Sequence, residues 1–113
     1  MEKVNKESIA LLFKAYPFII AAYQFGSTIR GQEGPLSDLD IAILVDERRV
    51  PSDLDLLRTG LLLAYELQRQ LTISEVDLIT LNRQRLAFQY AVIRTGTLIY
   101  ETDRLERIRF CKK

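Results

Sequence analysis

A chain of 113 residues with 48% hydrophobic and 27% charged side chains has the size and composition of one ordinary globular domain, which excludes a disordered segment and a disulfide scaffold. Its 16 basic and 15 acidic residues leave a net charge of +1, so no global field draws it toward nucleic acid or an anionic membrane. There is no histidine, which removes an imidazole base, a Ser-His-Asp triad and a histidine-ligated zinc from consideration.

The lone Cys111 cannot close an internal disulfide, and no secretory leader or span of ~20 apolar residues is evident. A cytoplasmic location without membrane contact is expected. In chain order, Asn5 or Ser8 can cap a first helix over about 6–16, whose Ile9, Leu12 and Phe13 recur at helical spacing before Pro17. Phe18 to Phe25 is apolar and rich in aromatic and β-branched residues, which predicts a strand closed by Gly26, with a short helix able to start at Ser27. Gly31, Gly34 and Pro35 mark the following loop.

Ile41 to Val45 reads as a second strand, apolar on both faces and therefore central in a covered sheet. Pro51 and Ser52 open a long helix, with Ser52 as cap and Asp53 and Asp55 in the favourable first turn. Leu54, Leu57, Leu61, Ala64, Tyr65 and Leu71 form its apolar stripe, and these leucines are expected in the core. A third strand is predicted from about Glu75 to Thr80. A helix capped by Asn82 and stopped by Gly96 follows, then a fourth strand over Thr97 to Glu101 and a last helix from about Asp103. The basic stretch Arg104 to Lys113 is read as a solvated helix end, and the five tyrosines as core or edge aromatics. This order predicts one domain over residues 1–113, of α/β (α+β) class, with a small mixed sheet of about four strands and helices packed on it.

The chemistry concentrates between Gly26 and Asp77. Side chains alternate along a strand, so Asp38 and Asp40 point the same way if the chain is extended through Leu39. Asp77 lies inside the third strand, and if the second and third strands are neighbours, three carboxylates converge. Glu75 is expected to face solvent. At ~4 Å and an effective dielectric near 20, each like-charge pair costs roughly 4 kcal/mol, so the cluster calls for a cation. An all-oxygen donor set at Asp38, Asp40 and Asp77 suits Mg²⁺ or Mn²⁺, with Asp77 left either to bind a metal or to take the proton. Gly26 admits a phosphate close to the backbone, Ser27 adds a hydroxyl donor, and Arg30 offers a guanidinium to a triphosphate. These parts match phosphoryl or nucleotidyl transfer.

With Gly26-Ser27, Arg30-Gly31, Ser37-Asp38-x-Asp40 and Asp77 in place, the sequence resembles the nucleotidyltransferase superfamily related to DNA polymerase β. Within it, the chain looks like the minimal nucleotidyltransferase (MNT) domains, antitoxin partners of HEPN-domain toxins. The resemblance implies a nucleotidyltransferase-like fold, ATP as substrate, Mg²⁺ (or Mn²⁺) held at Asp38, Asp40 and Asp77, and a triphosphate at Gly26 and Ser27. It implies transfer of AMP to a tyrosine of a HEPN RNase toxin. The charge balance leads to no expectation of direct contact with nucleic acid, and a homo- or hetero-oligomer stays open. Two alternatives stay open: a non-catalytic antitoxin that neutralises its partner by contact, and a small-molecule nucleotidyltransferase of the aminoglycoside type. The last would need a second chain to supply the substrate-binding half.

Overall fold

Two apolar runs become the middle of a four-stranded sheet because neither can leave a face in water. In the computed structural model, which describes residues 6–26, 39–102 and 104–111, strands β1 (Ile19–Phe25) and β2 (Leu39–Val45) are the inner pair. The outer strands are β3 (Val76–Thr80) and β4 (Thr97–Glu101), giving the order β3-β2-β1-β4. β1 runs antiparallel to β2 and β4, while β2 and β3 are parallel. Every residue of β2 is buried, as its two apolar faces require.

Four helices among the described residues cover the sheet: α1 (Lys6–Lys14), α2 (Asp53–Leu71), α3 (Leu86–Thr95) and α4 (Arg104–Cys111). On one face Ile9 and Phe13 of α1 and Leu56, Leu63 and Leu67 of α2 pack against Leu39, Ile41, Ile43 and Val45. On the other, Val92 and Phe88 of α3 and Phe110 of α4 pack against Ala42 and Leu44. A register shift between Ile19 and Ala21 re-aims β1. Ile20 and Ala21 both join the second cluster as a result.

Ser52 caps α2 as expected: its Oγ accepts from the Asp55 N–H at 3.1 Å and donates to Asp55 Oδ2 at 2.7 Å. The apolar stripe of α2 is a correction. Its buried side is Leu56, Thr59, Leu63 and Leu67, whereas Leu54, Leu57, Leu61 and Tyr65 are exposed. The helix carries two leucine stripes, and a sheet can cover only one. Tyr90 is exposed as well, against the expectation for the tyrosines, while Tyr23 and Tyr100 are buried. Ser8 sits inside α1 and is not its cap; Asn5, and the short helix expected at Ser27, lie outside the described residues.

Asn82 also differs from expectation. It occupies a 3₁₀ turn (Leu81–Arg83), and α3 starts later, with Arg85 at its cap position and no side-chain cap bond. The Asn82 amide serves β2 instead. Val45 N–H donates to Asn82 Oδ1 at 2.9 Å, and Asn82 Nδ2 donates to the Val45 carbonyl at 2.8 Å. The side chain thus extends the ladder past Thr80, the last paired residue of β3. Gly96 does end α3, but for a steric reason. A Cβ there would meet the Val92 carbonyl oxygen at 2.5 Å and that of Gln24 at 3.0 Å, both backbone atoms.

Two outcomes follow for urea unfolding. Asn82→Ala leaves two part-buried β2 groups without their partners and is expected to cost about 2–3 kcal/mol. Gly96→Ala must distort the last turn of α3 at the Val92 carbonyl and crowd β1 at Gln24, and is expected to cost at least about 2 kcal/mol.

Candidate active site

Parallel pairing of β2 and β3 sets Leu39 against Val76, Asp40 against Asp77 and Ile41 against Leu78. Neighbouring strands lie about 4.8 Å apart, and residues aligned across a ladder project to the same face. The two aspartates therefore share one site. Each is the second residue of its strand, and because the strands are parallel both stand at the same end of the sheet. They project on the α3 side, as do Ala42 of β2 and Ile79 of β3.

Asp40 is only 5% exposed, since β2 is covered on both sides. Asp77, on the edge strand, is half-buried, which makes it the carboxylate more accessible to a substrate. Glu75 is exposed, as expected, and uses its backbone carbonyl to accept from Leu39 N–H at 3.2 Å. That bond starts the β2–β3 ladder one residue before the aspartates.

From the other side, Phe25 pairs directly with Asp40. Its ring meets Phe88 edge-on, with centroids 5.5 Å apart and planes at 86°. An apolar wall thus stands beside the carboxylates and lowers the local dielectric. Sequence reasoning took Phe25 only as the end of a strand. No local signal marks it, because a connection as long as 26–38 leaves the register of β1 on β2 open.

Gly26 follows Phe25 immediately, so the pairing of Phe25 with Asp40 brings it to the same end of the sheet. Of the expected site residues, the structure brings together Gly26, Asp40 and Asp77. Asp38, Ser27 and Arg30 lie outside the described residues. Among the described residues no group of three or more Cys, Asp or Glu side chains is placed to hold a metal.

Two carboxylates held on adjacent rigid strands at about 5 Å repel by roughly 3 kcal/mol at an effective dielectric near 20. Protein oxygen donors in this number fit Mg²⁺, which is held by one or two carboxylates and completes its shell with water and phosphate oxygens. Asp40 and Asp77 thus suit a divalent cation by donor type and by placement. Relief of the repulsion gives a direct check. In metal-free buffer, Asp40→Asn is expected to raise the unfolding free energy by about 1 kcal/mol, measured by urea denaturation in the presence of chelator.

The family model described as "Polymerase beta, Nucleotidyltransferase" matches residues 7–105 of the chain. No curated protein matches it by sequence. Among solved structures, it is similar to a chain in the crystal structure of a toxin-antitoxin with AMP-PNP, at 25% identity and a TM-score of 0.66, over 96% of this chain and 83% of that one. A second similar fold is found in the toxin-antitoxin MntA-HepT, at 23% identity and a TM-score of 0.65, covering 98% and 82%. A third is in a complex of a tri-AMPylated Shewanella oneidensis HEPN toxin with an MNT antitoxin, at 24% identity and a TM-score of 0.64, covering 96% and 79%. No helix among the described residues is long and apolar enough to cross a membrane.

Proposed function

Because the chain belongs to the polymerase β-type nucleotidyltransferase family, we propose that it is a cytoplasmic, Mg²⁺-dependent adenylyltransferase, an antitoxin that moves AMP from ATP onto a tyrosine of a HEPN-domain toxin. One observation carries this reading: Asp40 and Asp77 are set side by side in register, one of them inside a fully buried strand. Support for the nucleotide comes from the similar toxin-antitoxin structure with AMP-PNP, and support for the acceptor from the similar complex with an AMPylated HEPN toxin.

Asp40 and Asp77, joined by Asp38, would hold the cation, with Mn²⁺ as the other candidate. When bound, that ion neutralises charge on the triphosphate and polarises the phosphoryl group. Gly26 and Ser27 would receive the triphosphate, which a Cβ-free turn and a hydroxyl donor allow, and Arg30 would add a cation to it. The tyrosine oxygen attacks the α-phosphorus of ATP, the bond from that phosphorus to the bridging oxygen breaks, and pyrophosphate leaves. The hydroxyl proton passes to Asp77, the more exposed carboxylate. Asp40 is enclosed by β1, β3 and the second core cluster, so its part is to hold charge at a fixed place. The Phe25–Phe88 wall limits water beside the carboxylates and strengthens that electrostatic effect.

The test combines the purified chain with ATP, Mg²⁺ and the folded HEPN protein, followed by intact mass measurement. An AMP-sized gain on the HEPN protein is expected, falling by about 100-fold or more in rate with Asp40→Asn. Absence of any gain defeats the catalytic reading. Full protection of cells by an Asp38→Asn, Asp40→Asn chain would instead assign neutralisation to contact. A separate readout is thermal: Mg²⁺ with a non-hydrolysable ATP analogue is expected to raise the midpoint of the wild-type chain and to leave that of Asp40→Asn where it was.

A further inference from the structure

Asp77 belongs to a groove as well as to the carboxylate pair. All 5 residues of β3 line a cleft of about 440 Å³ between that strand and the outer side of α2. Leu57, Gly60, Leu61 and Ala64 form its opposite wall, and Leu57 and Leu61 are 60 and 64% exposed. Side chains of successive strand residues point to opposite faces, so a cleft that touches every one of them follows the backbone edge. Among the described residues β3 is an edge strand, with no strand paired on its outer side. The cleft is therefore a slot shaped for an extended chain.

Backbone groups alternate in the same way, which tells those that face the slot. The Glu75 carbonyl accepts from Leu39 N–H at 3.2 Å, so Glu75, Asp77 and Ile79 turn their N–H and C=O groups toward β2, and Val76, Leu78 and Thr80 turn theirs outward. The far end of this edge is taken up from within the chain. Gln84 Nε2 donates to the Thr80 carbonyl at 3.3 Å, and Arg83 reaches across the slot to Asp53 at 3.1 Å. The near end, at Val76 and Leu78, flanks Asp77. Asp40 is shut in by β1 on its other side, where Phe25 pairs with it, so in the plane of the sheet a substrate reaches the two carboxylates over β3. An open strand edge is a template for an added strand.

On the adenylyltransferase reading, which this step presupposes, we propose that the slot holds the acceptor: a partner segment adds to β3 as an extended strand, with its tyrosine opposite Asp77. Residues aligned across a ladder project to the same face about 5 Å apart. That tyrosine therefore enters the face on which Asp40 and Asp77 stand. Its oxygen bonds to the α-phosphorus of ATP as pyrophosphate leaves, and its proton goes to Asp77. The residues just before and after the tyrosine project the other way, as Val76 and Leu78 do, toward the apolar wall of Leu57 and Leu61. The acceptor class is thus a tyrosine between two apolar residues. Backbone bonds to Val76 and Leu78 supply affinity, and the wall supplies the sequence preference.

The probes are two capped peptides, Ser-Leu-Tyr-Leu-Ser and Ser-Asp-Tyr-Asp-Ser, beside the folded HEPN protein, with AMP transfer from ATP and Mg²⁺ read by mass. The leucine peptide is expected to be modified about 10-fold faster or more at equal concentration, and its titration to shift the amide NMR signals of Val76 and Leu78. Leu61→Glu, at an exposed position, is expected to raise the KM for the HEPN protein about 10-fold or more with kcat little changed. Val76→Pro removes an outward N–H and no ladder bond, and is expected to act in the same direction. In both variants the thermal response to Mg²⁺ and the ATP analogue reads nucleotide binding separately, and it is expected to persist. A HEPN protein that is modified while the two peptides fare alike, or a KM indifferent to Leu61→Glu, overturns the proposal and leaves the transfer reading standing. So do Val76 and Leu78 signals that move with the concentration of the chain itself and not with peptide, which would give the edge to a second copy. No AMP on any acceptor, with the thermal response intact, defeats the transfer reading and the acceptor slot with it.

Discussion

The parallel pairing of β2 with β3 is the constraint from which the candidate site follows. Parallel neighbours cannot be joined by a tight turn; the chain must cross over one face of the sheet before it returns. Here the crossover is the 19-residue α2, about 28 Å long at 1.5 Å per residue. Its inner leucines bury Leu39, Ile41, Ile43 and Val45, so the alternate residues of β2 must face the other way. Asp40 is one of them. A slip of a single residue in the register would turn Asp40 or Asp77 to the wrong face and bury a charge under α2.

That same crossover divides the two faces by task. The α1 and α2 side is a continuous apolar layer, and nothing charged from β2 or β3 enters it. The α3 and α4 side is apolar along Ala42 and Leu44 but ends in the two carboxylates, bounded by Phe25 and Phe88. Local fastenings keep the faces in place. Asn82 holds the far end of β2 with two hydrogen bonds, and the bare Cα of Gly96 allows α3 to approach the Gln24 carbonyl. A fastened β2 is what a site built on strands needs, since two like charges will otherwise separate.

Much of this was legible in the residues. The apolar runs located β1 and β2, and Ser52 with its acidic first turn located the start of α2. Asp77, inside an apolar run, pointed to a strand carrying an acid toward a shared site. What failed was of two kinds. Asn82 has the chemistry of a helix cap, yet its amide can equally pair with a strand, and only the nearness of Val45 selects the second use. The stripe Leu54, Leu57, Leu61 and Tyr65 has perfect helical spacing, and so has Leu56, Leu63 and Leu67; period alone cannot say which of two apolar stripes meets the sheet.

Local patterns therefore determined which segments are helix or strand, and which residues have the chemistry of a metal and phosphate site. Those properties depend on neighbours within a few residues, where backbone preference and side-chain alternation operate. The tertiary structure alone decided that β2 and β3 are parallel neighbours in the register that opposes Asp40 to Asp77. It alone set Phe25 against Asp40 and left one stripe of α2 facing outward. Each of these is a contact between distant segments, and its identity depends on which surfaces exclude water together once the whole chain has folded.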